Sequence, residues 1–413
     1  MTMGRERLIE AGLVSLCVFA PVFFGCVYPW GSMTISAVAF LLYFLAPHSS
    51  LENISIPRSA LISVLVVYTW FLAQSLFVVS NSRDVLSNYI FWLSMAALFS
   101  AVHSLGRPSI LHLFWVIALV GFAEAAYGLW QVASGVEAVL WRAKVDHVGY
   151  VTGTYLNRNH LAGLLQISIG IQTGLFMRAC HKRLTLQGVL LALLMTVTML
   201  GLIKSGSRSG IASLFLASFF CLPLLWRRGS SAVFLFLYMF CICLAAGIVW
   251  GWDVLSGRMS ELPEQLDTLE GRILGWNAML PMLKDYLWTG AGLGNFKWIF
   301  PAYQPAELIY GWDHAHNDYL ETAIETGLPA FLLLMFFFAT LFRRIITELP
   351  QKDASSFFLS LGALAGLTSI AIHGLTDFNF SIPSNLLIFV LVLGLTQRLI
   401  QFDREKVTVK SKP

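Results

Sequence analysis

About twelve apolar runs, most of them near the roughly 20 residues a helix needs to cross the hydrocarbon of a bilayer, leave this chain few folds to adopt. They fall near residues 11–28, 31–46, 59–79, 86–104, 109–133, 160–177, 184–203, 210–226, 231–252, 328–342, 356–373 and 385–400. Only 12% of the 413 residues are charged and 57% are hydrophobic, against about 25% charged in a soluble domain. The first run lacks a small-x-small cleavage site and is followed at once by a second, so it reads as a span rather than a removable signal. The expectation is an all-α polytopic membrane protein of about 12 transmembrane helices. It forms a single integral membrane domain over residues 1–413, with one large loop, 253–316, between the ninth and tenth spans.

Orientation follows from the loop cations. With both termini cytoplasmic, 17 of the 27 basic residues lie inside, among them Arg5, Arg7, Arg107, Arg178, Lys182, Arg228, Arg343 and Arg344. The ten outer ones include Arg158, Lys204, Arg208 and Arg272; the short-loop members of this set run against that bias, and some are candidates for a role that outweighs it. A net charge of +4 gives no sign of nucleic-acid binding. All six cysteines lie in or beside apolar runs and read as small buried hydrophobes.

The polar clusters fall on the outer, periplasmic side: "GTYLNRNHLAG" (153–163), "KSGSRSG" (204–210), the loop 253–316 and "HGLTDFNFSIPSN" (373–385). Within the loop, Ile273, Trp276, Leu280 and Leu283 recur at helical spacing, predicting a helix on the outer surface with its apolar side toward lipid or the bundle. "GAGLGNF" (290–296) superficially resembles a dinucleotide loop, but no strand precedes it, so a flexible turn is expected. Glu124 and Gln131 share a helix face in the outer half of the fifth span. They either line a cavity or tie helices together.

The block "HAHNDYLETAIETGLPA", with "SGSRSG" and "GRILGWNAMLPMLKDYLWTGAGLGNFKWIFP" before it, resembles the O-antigen ligase and polymerase superfamily. The family's ligase pattern is His, then Asn, Ser or Gln, nine residues, Gly, two residues, then Gly, Thr or Tyr. His316, Asn317 and Gly327 fit it, and Ala330 departs from it. The resemblance covers roughly 150–385. It implies a C-class-like glycosyltransferase whose donor is a glycan on undecaprenyl diphosphate and whose acceptor is lipid A–core or another lipid-linked glycan. It implies no metal, nucleotide or other cofactor. The sequence is silent on oligomeric state.

The chemistry suits these residues. Arg208 and Arg272 are the candidate diphosphate ligands, because a guanidinium fork binds phosphate oxygens bidentately and keeps its charge when partly desolvated. The bland reading of both is interfacial snorkelling. Lys204 is a candidate helper. His316 is the candidate general base for a sugar hydroxyl. His314 lies two residues away, on the opposite side if the chain is extended, and Asp313 and Asp318 are the alternative candidates to orient the imidazole. Asn317 or Asp318 also suits an N-cap, with Gly327-Leu328-Pro329 breaking the helix that follows. Asn157 and Asn159 are candidate glycan or phosphate ligands. His373 and Asp377, four apart, either pair with one another or complete the site. Two other classes compete. One is a transporter or flippase of lipid-linked glycans, which calls for internal repeats and midplane charge that are not evident. The other is a metallohydrolase drawing on His160, His373 or Asp377 beside the His-x-His pair.

Overall fold

A computed structural model describes residues 2–47, 56–78, 82–226, 228–229, 262–308, 311–349 and 353–410, with isolated helical positions at 237, 241, 245 and 249. In chain order the helices are α1 (Thr2–Val22), α2 (Pro29–Leu45), α3 (Arg58–Ala73), α4 (Ser82–Val102), α5 (Arg107–Ser134), α6 (Arg158–His181), α7 (Thr185–Lys204) and α8 (Arg208–Trp226). There follow α9 (Leu262–Asp285), α10 (Phe296–Ile299), α11 (Asp318–Thr326), α12 (Leu328–Thr347), α13 (Ala354–His373) and α14 (Pro383–Lys410). The one sheet among the described residues is a two-stranded antiparallel ladder, β1 (Ala138–Val139) and β2 (Arg142–Ala143), pairing Ala138 with Ala143.

The chain is a helical multi-pass membrane protein. Among the described residues nine helices are long and apolar enough to span: α3 to α8 and α12 to α14. α2, at 17 residues, is shorter, and α1 carries Arg5, Glu6, Arg7 and Glu10 near its start. Helices thus occupy every expected run but one. The expected ninth span, 231–252, lies outside the described residues apart from isolated positions, as do residues 253–261 of the expected loop.

α6 is wholly buried along its most apolar stretch, and α13 and α14 nearly so; α5, α7 and α8 pack around α6 and α13, while α3 packs outside them on α4 and α12. Small residues explain the close approach. Gly170 and Gly174 on α6 face Gly362 and Gly366 on α13, two small-x-x-x-small stripes back to back. A Cβ at Gly170 would stand 2.5 Å from the Gly362 carbonyl, and one at Gly174 2.7 Å from that of Phe358. Buried polar side chains add specificity: Gln172 Nε2 donates to Ala118 O at 2.9 Å and to Thr198 Oγ1 at 3.0 Å, linking α6 to α5 and α7.

The segment from α9 to α11 has a small core of its own, built on Met279, Met282, Ala291, Phe296, Phe300, Ala315 and Ile324. The expected loop helix is present, but its buried face is Met279 and Met282, flanked by Trp276 and Leu283. Ile273 and Leu280 are exposed, so the spacing identified the helix and only half of its packed side. Gln74 and Trp70 of the α3 region bind the segment down: Gln74 Nε2 donates to Thr289 O at 2.6 Å and Trp70 Nε1 to Thr326 O at 2.9 Å.

"GAGLGNF" is a packed turn rather than a flexible one. Gly292 N donates to Glu325 O at 2.8 Å, and Phe296 N donates to the Glu325 carboxylate at 3.0 Å. The five described cysteines are free.

Candidate active site

The site gathers where α6 begins, α13 ends and α11 starts. Asn317 caps α11, its Oδ1 accepting from the N–H groups of Tyr319 and Leu320 at 3.0 Å each. At the other end Gly327, at φ 79°, stops α11, and a Cβ there would stand 2.8 Å from Trp288 O; α12 starts at the next residue. The backbone before the cap is held tightly. Ala315 N donates to Glu321 Oε2 at 2.7 Å, and Ala315 O accepts from Trp276 Nε1 at 2.8 Å. His316 adopts φ 48°, the left-handed region that costs a non-glycine residue free energy and collects at functional sites.

That turn overrides the alternation expected of an extended His-Ala-His. Both rings meet Phe378, from the loop after α13. His314 stacks on it (4.3 Å, 14°) and His316 meets it edge-on (5.0 Å, 74°). His160, near the start of α6, approaches the same ring edge-on at 4.6 Å, and Trp312 closes the other side of His316 at 5.2 Å.

Next to Phe378, Asp377 is completely buried. Its carboxylate lies 3.8 Å from His160 Nε2 and 4.0 Å from His373 Nε2, and accepts from Phe378 N at 2.8 Å. His373 Nδ1 in turn donates to Gln166 Oε1 at 3.1 Å. Four buried polar atoms around this point, His160 Nε2, His373 Nε2, Asp377 Oδ2 and His316 Nδ1, have no hydrogen-bond partner among the described residues, an uncommon concentration in a folded interior. Arg272 of α9 enters from above, donating from Nη1 to Thr376 O at 3.1 Å.

The two central histidines are driven in opposite directions. Burial pulls the His314 imidazole down, but Glu321, 2.7 Å from its Nδ1, with Glu325 and Asp313 farther off, raises it above the ordinary histidine value. Burial lowers His316, and the Arg272 and His314 charges add to this against the pull of Asp377. Asp377 itself is lowered: burial acts upward, and His160, His373 and His316 overcome it. Asp318 goes the other way, raised by burial and by Glu321 despite accepting from Phe380 N at 3.1 Å. The upward shift favours the charged form of His314 beside Glu321, and the downward shift favours the neutral form of His316.

The other expected residues divide. Asn317 and Asp318 shape the loop, as cap and as acceptor for the segment after α13. Asn157 caps α6, accepting from Asn159 N at 2.8 Å, with both side chains partly exposed at the same end. Arg208 is exposed at the first residue of α8, and Lys204 ends α7. Glu124 accepts from Thr154 N at 2.8 Å and Thr154 Oγ1 at 2.7 Å, and Gln131 Nε2 donates to Ala138 O at 2.6 Å, so both tie the segment between α5 and α6 to α5. Asp313 is exposed, and it is Glu321 and Asp377 that face the imidazoles.

Glu321, Phe378, Trp312 and Trp276 were not foreseen. Glu321 reads in sequence as an ordinary acid in a first helical turn, and the aromatics read as apolar filler. Among the described residues no group of three His, Cys, Asp or Glu side chains is arranged to hold a metal ion.

A multi-pass helical protein with a polar, histidine-rich site at one end of its bundle is the class these observations define. Residues 190–335 match the family model described as O-antigen ligase. The matched stretch is 146 of the 413 residues, so the similarity is to that family over α7 to the start of α12. It takes in Arg208, Arg272, His314 and His316, whereas His160, His373, Asp377 and Phe378, which meet them in space, lie outside it. No curated protein matches the chain.

Proposed function

We propose that the protein is an inverting glycosyltransferase, working without a metal, that moves a glycan from undecaprenyl diphosphate to a sugar hydroxyl. The acceptor sugar belongs to lipid A–core or to another lipid-linked glycan. The excess of cations at the opposite helix ends supports a bacterial inner-membrane setting with both termini cytoplasmic and the site at the periplasmic face. The observation that carries the reading is the cluster itself: His314 and His316 both meet the Phe378 ring, Glu321 lies 2.7 Å from His314, and Arg272 bonds Thr376 O in the same loop.

His316, lowered toward its neutral form and with no hydrogen-bond partner for Nδ1 among the described residues, accepts the acceptor hydroxyl proton. The hydroxyl oxygen forms a bond to the anomeric carbon as the bond from that carbon to the diphosphate oxygen breaks. Arg272, with Arg208 at the rim, takes the growing negative charge on the leaving diphosphate. Phe378 offers a ring face against which a sugar or prenyl carbon can pack.

The test is reconstitution of the purified chain in liposomes with an undecaprenyl-diphosphate oligosaccharide and candidate acceptors, with and without EDTA. Free undecaprenyl diphosphate and an enlarged acceptor, both unaffected by EDTA, are expected by mass spectrometry. No transfer to any acceptor by folded protein that binds donor contradicts the reading and favours a transporter; loss of transfer on EDTA contradicts its metal-free step.

A further inference from the structure

At the opposite end of the bundle the structure holds a large cavity that plays no part in the reaction above. It measures about 840 Å³ and is bordered by Arg107, Arg178, His181, Lys182, Arg228 and Asp353. Along α6, Arg178 stands 18 residues from His160, about 27 Å at the rise of a helix. Likewise Ala354 opens α13 at this cavity and His373 ends it at the histidine cluster. One hydrocarbon thickness, about 30 Å, therefore separates the two sites.

Cations from separate elements converge here. Arg107 starts α5, Arg178 and Lys182 end α6, and Arg228 follows α8. Asp353 is the one acid in the described lining, and it is already engaged by Arg107 and by Ser355 N as the cap of α13. The charges repel one another: Lys182 is lowered chiefly by Arg178, then by burial and by Arg107. Arg228 is lowered by burial against the pull of Asp403. Apolar side chains, Ile110, Leu111, Leu359 and Leu399, complete the wall. A positive-inside bias places cations near helix ends. It does not call for several of them around one cavity whose volume is in the range of ligand sites.

We propose that this cavity binds the phosphate head group of an anionic phospholipid from the leaflet opposite the active site. The guanidinium groups supply the phosphate contacts, and the leucine and isoleucine side chains take the glycerol and first acyl carbons. The same cations would suit free phosphate, which lacks anything to fill the apolar wall.

The test uses the full-length protein, delipidated in detergent and supplied with phosphatidylglycerol, phosphatidylcholine or inorganic phosphate. Retained lipid is read by native mass spectrometry and the unfolding midpoint in parallel. Phosphatidylglycerol is expected to be retained over phosphatidylcholine, and about fivefold more weakly for each cation removed in Arg178→Gln and Lys182→Gln. Lys182 is exposed, so the second variant reads binding even where the first fails to fold. Equal retention of the two lipids, or unchanged phosphatidylglycerol retention in folded variants, overturns the proposal. Inorganic phosphate raising the midpoint as much as phosphatidylglycerol overturns the lipid as its source.

Discussion

His314 and Glu321 form a 2.7 Å pair, Nδ1 to Oε1, while the same carboxylate's second oxygen accepts the Ala315 N–H. One side chain thus sets the charge of the first histidine and the backbone path to the second. Glu321→Gln is expected to lose about 1.5–3 kcal/mol, the worth of a hydrogen bond to a charged group. Because the folded protein raises His314, this stabilisation is present in full below the unfolded histidine value near 6.5. It fades as pH rises through the higher folded value. Unfolding midpoints of the two proteins across pH check it: the gap between them narrows on the alkaline side.

His316 is lowered, so the acidic limb of kcat/KM is expected below the ordinary histidine range, near 6.5. Arg272→Gln removes a cation that pushes His316 down and should move the limb to higher pH. Asp377→Asn removes the carboxylate that pulls it up and should move the limb to lower pH. Opposite shifts from two substitutions identify the titrating group, because a general loss of structure moves neither in this pattern.

Arg272→Lys preserves charge and loses the planar fork. Removing one bidentate contact to a diphosphate is expected to cost about ten- to a hundredfold in kcat/KM for the lipid donor. Initial rates at varied donor, with acceptor fixed, measure it.

Gly170→Leu should separate α6 from α13, since the added Cβ alone would stand 2.5 Å from the Gly362 carbonyl and neither backbone can give. Overpacking commonly costs about 1–3 kcal/mol, and this site belongs at the upper end. Thermal unfolding in detergent shows it as a lowered midpoint.

Much of this was legible in the chain because membrane helices declare themselves by length and apolarity. Helices stand at every expected run that the structure describes, and the cap at Asn317 and the stop at Gly327 follow from local chemistry. The site was legible only in part. His316 stood out by its neighbours, but its partners come from three distant segments. Phe378 lies 62 residues on and His160 156 residues back, and their meeting depends on α6 and α13 packing through bare glycines. Neither the left-handed turn at His316 nor the inward aim of Glu321 leaves a periodic trace.

The most direct measurement of the central claim is the transfer rate of His316→Ala in liposomes, with its unfolding midpoint taken alongside. Loss of a general base predicts a fall of about a hundredfold or more in transfer. The midpoint should change little, since alanine carries the same backbone cost at φ 48° and the bonds that hold the loop, to Glu321 and Asn317, do not involve the His316 ring. Transfer within a few-fold of the original protein would contradict the account.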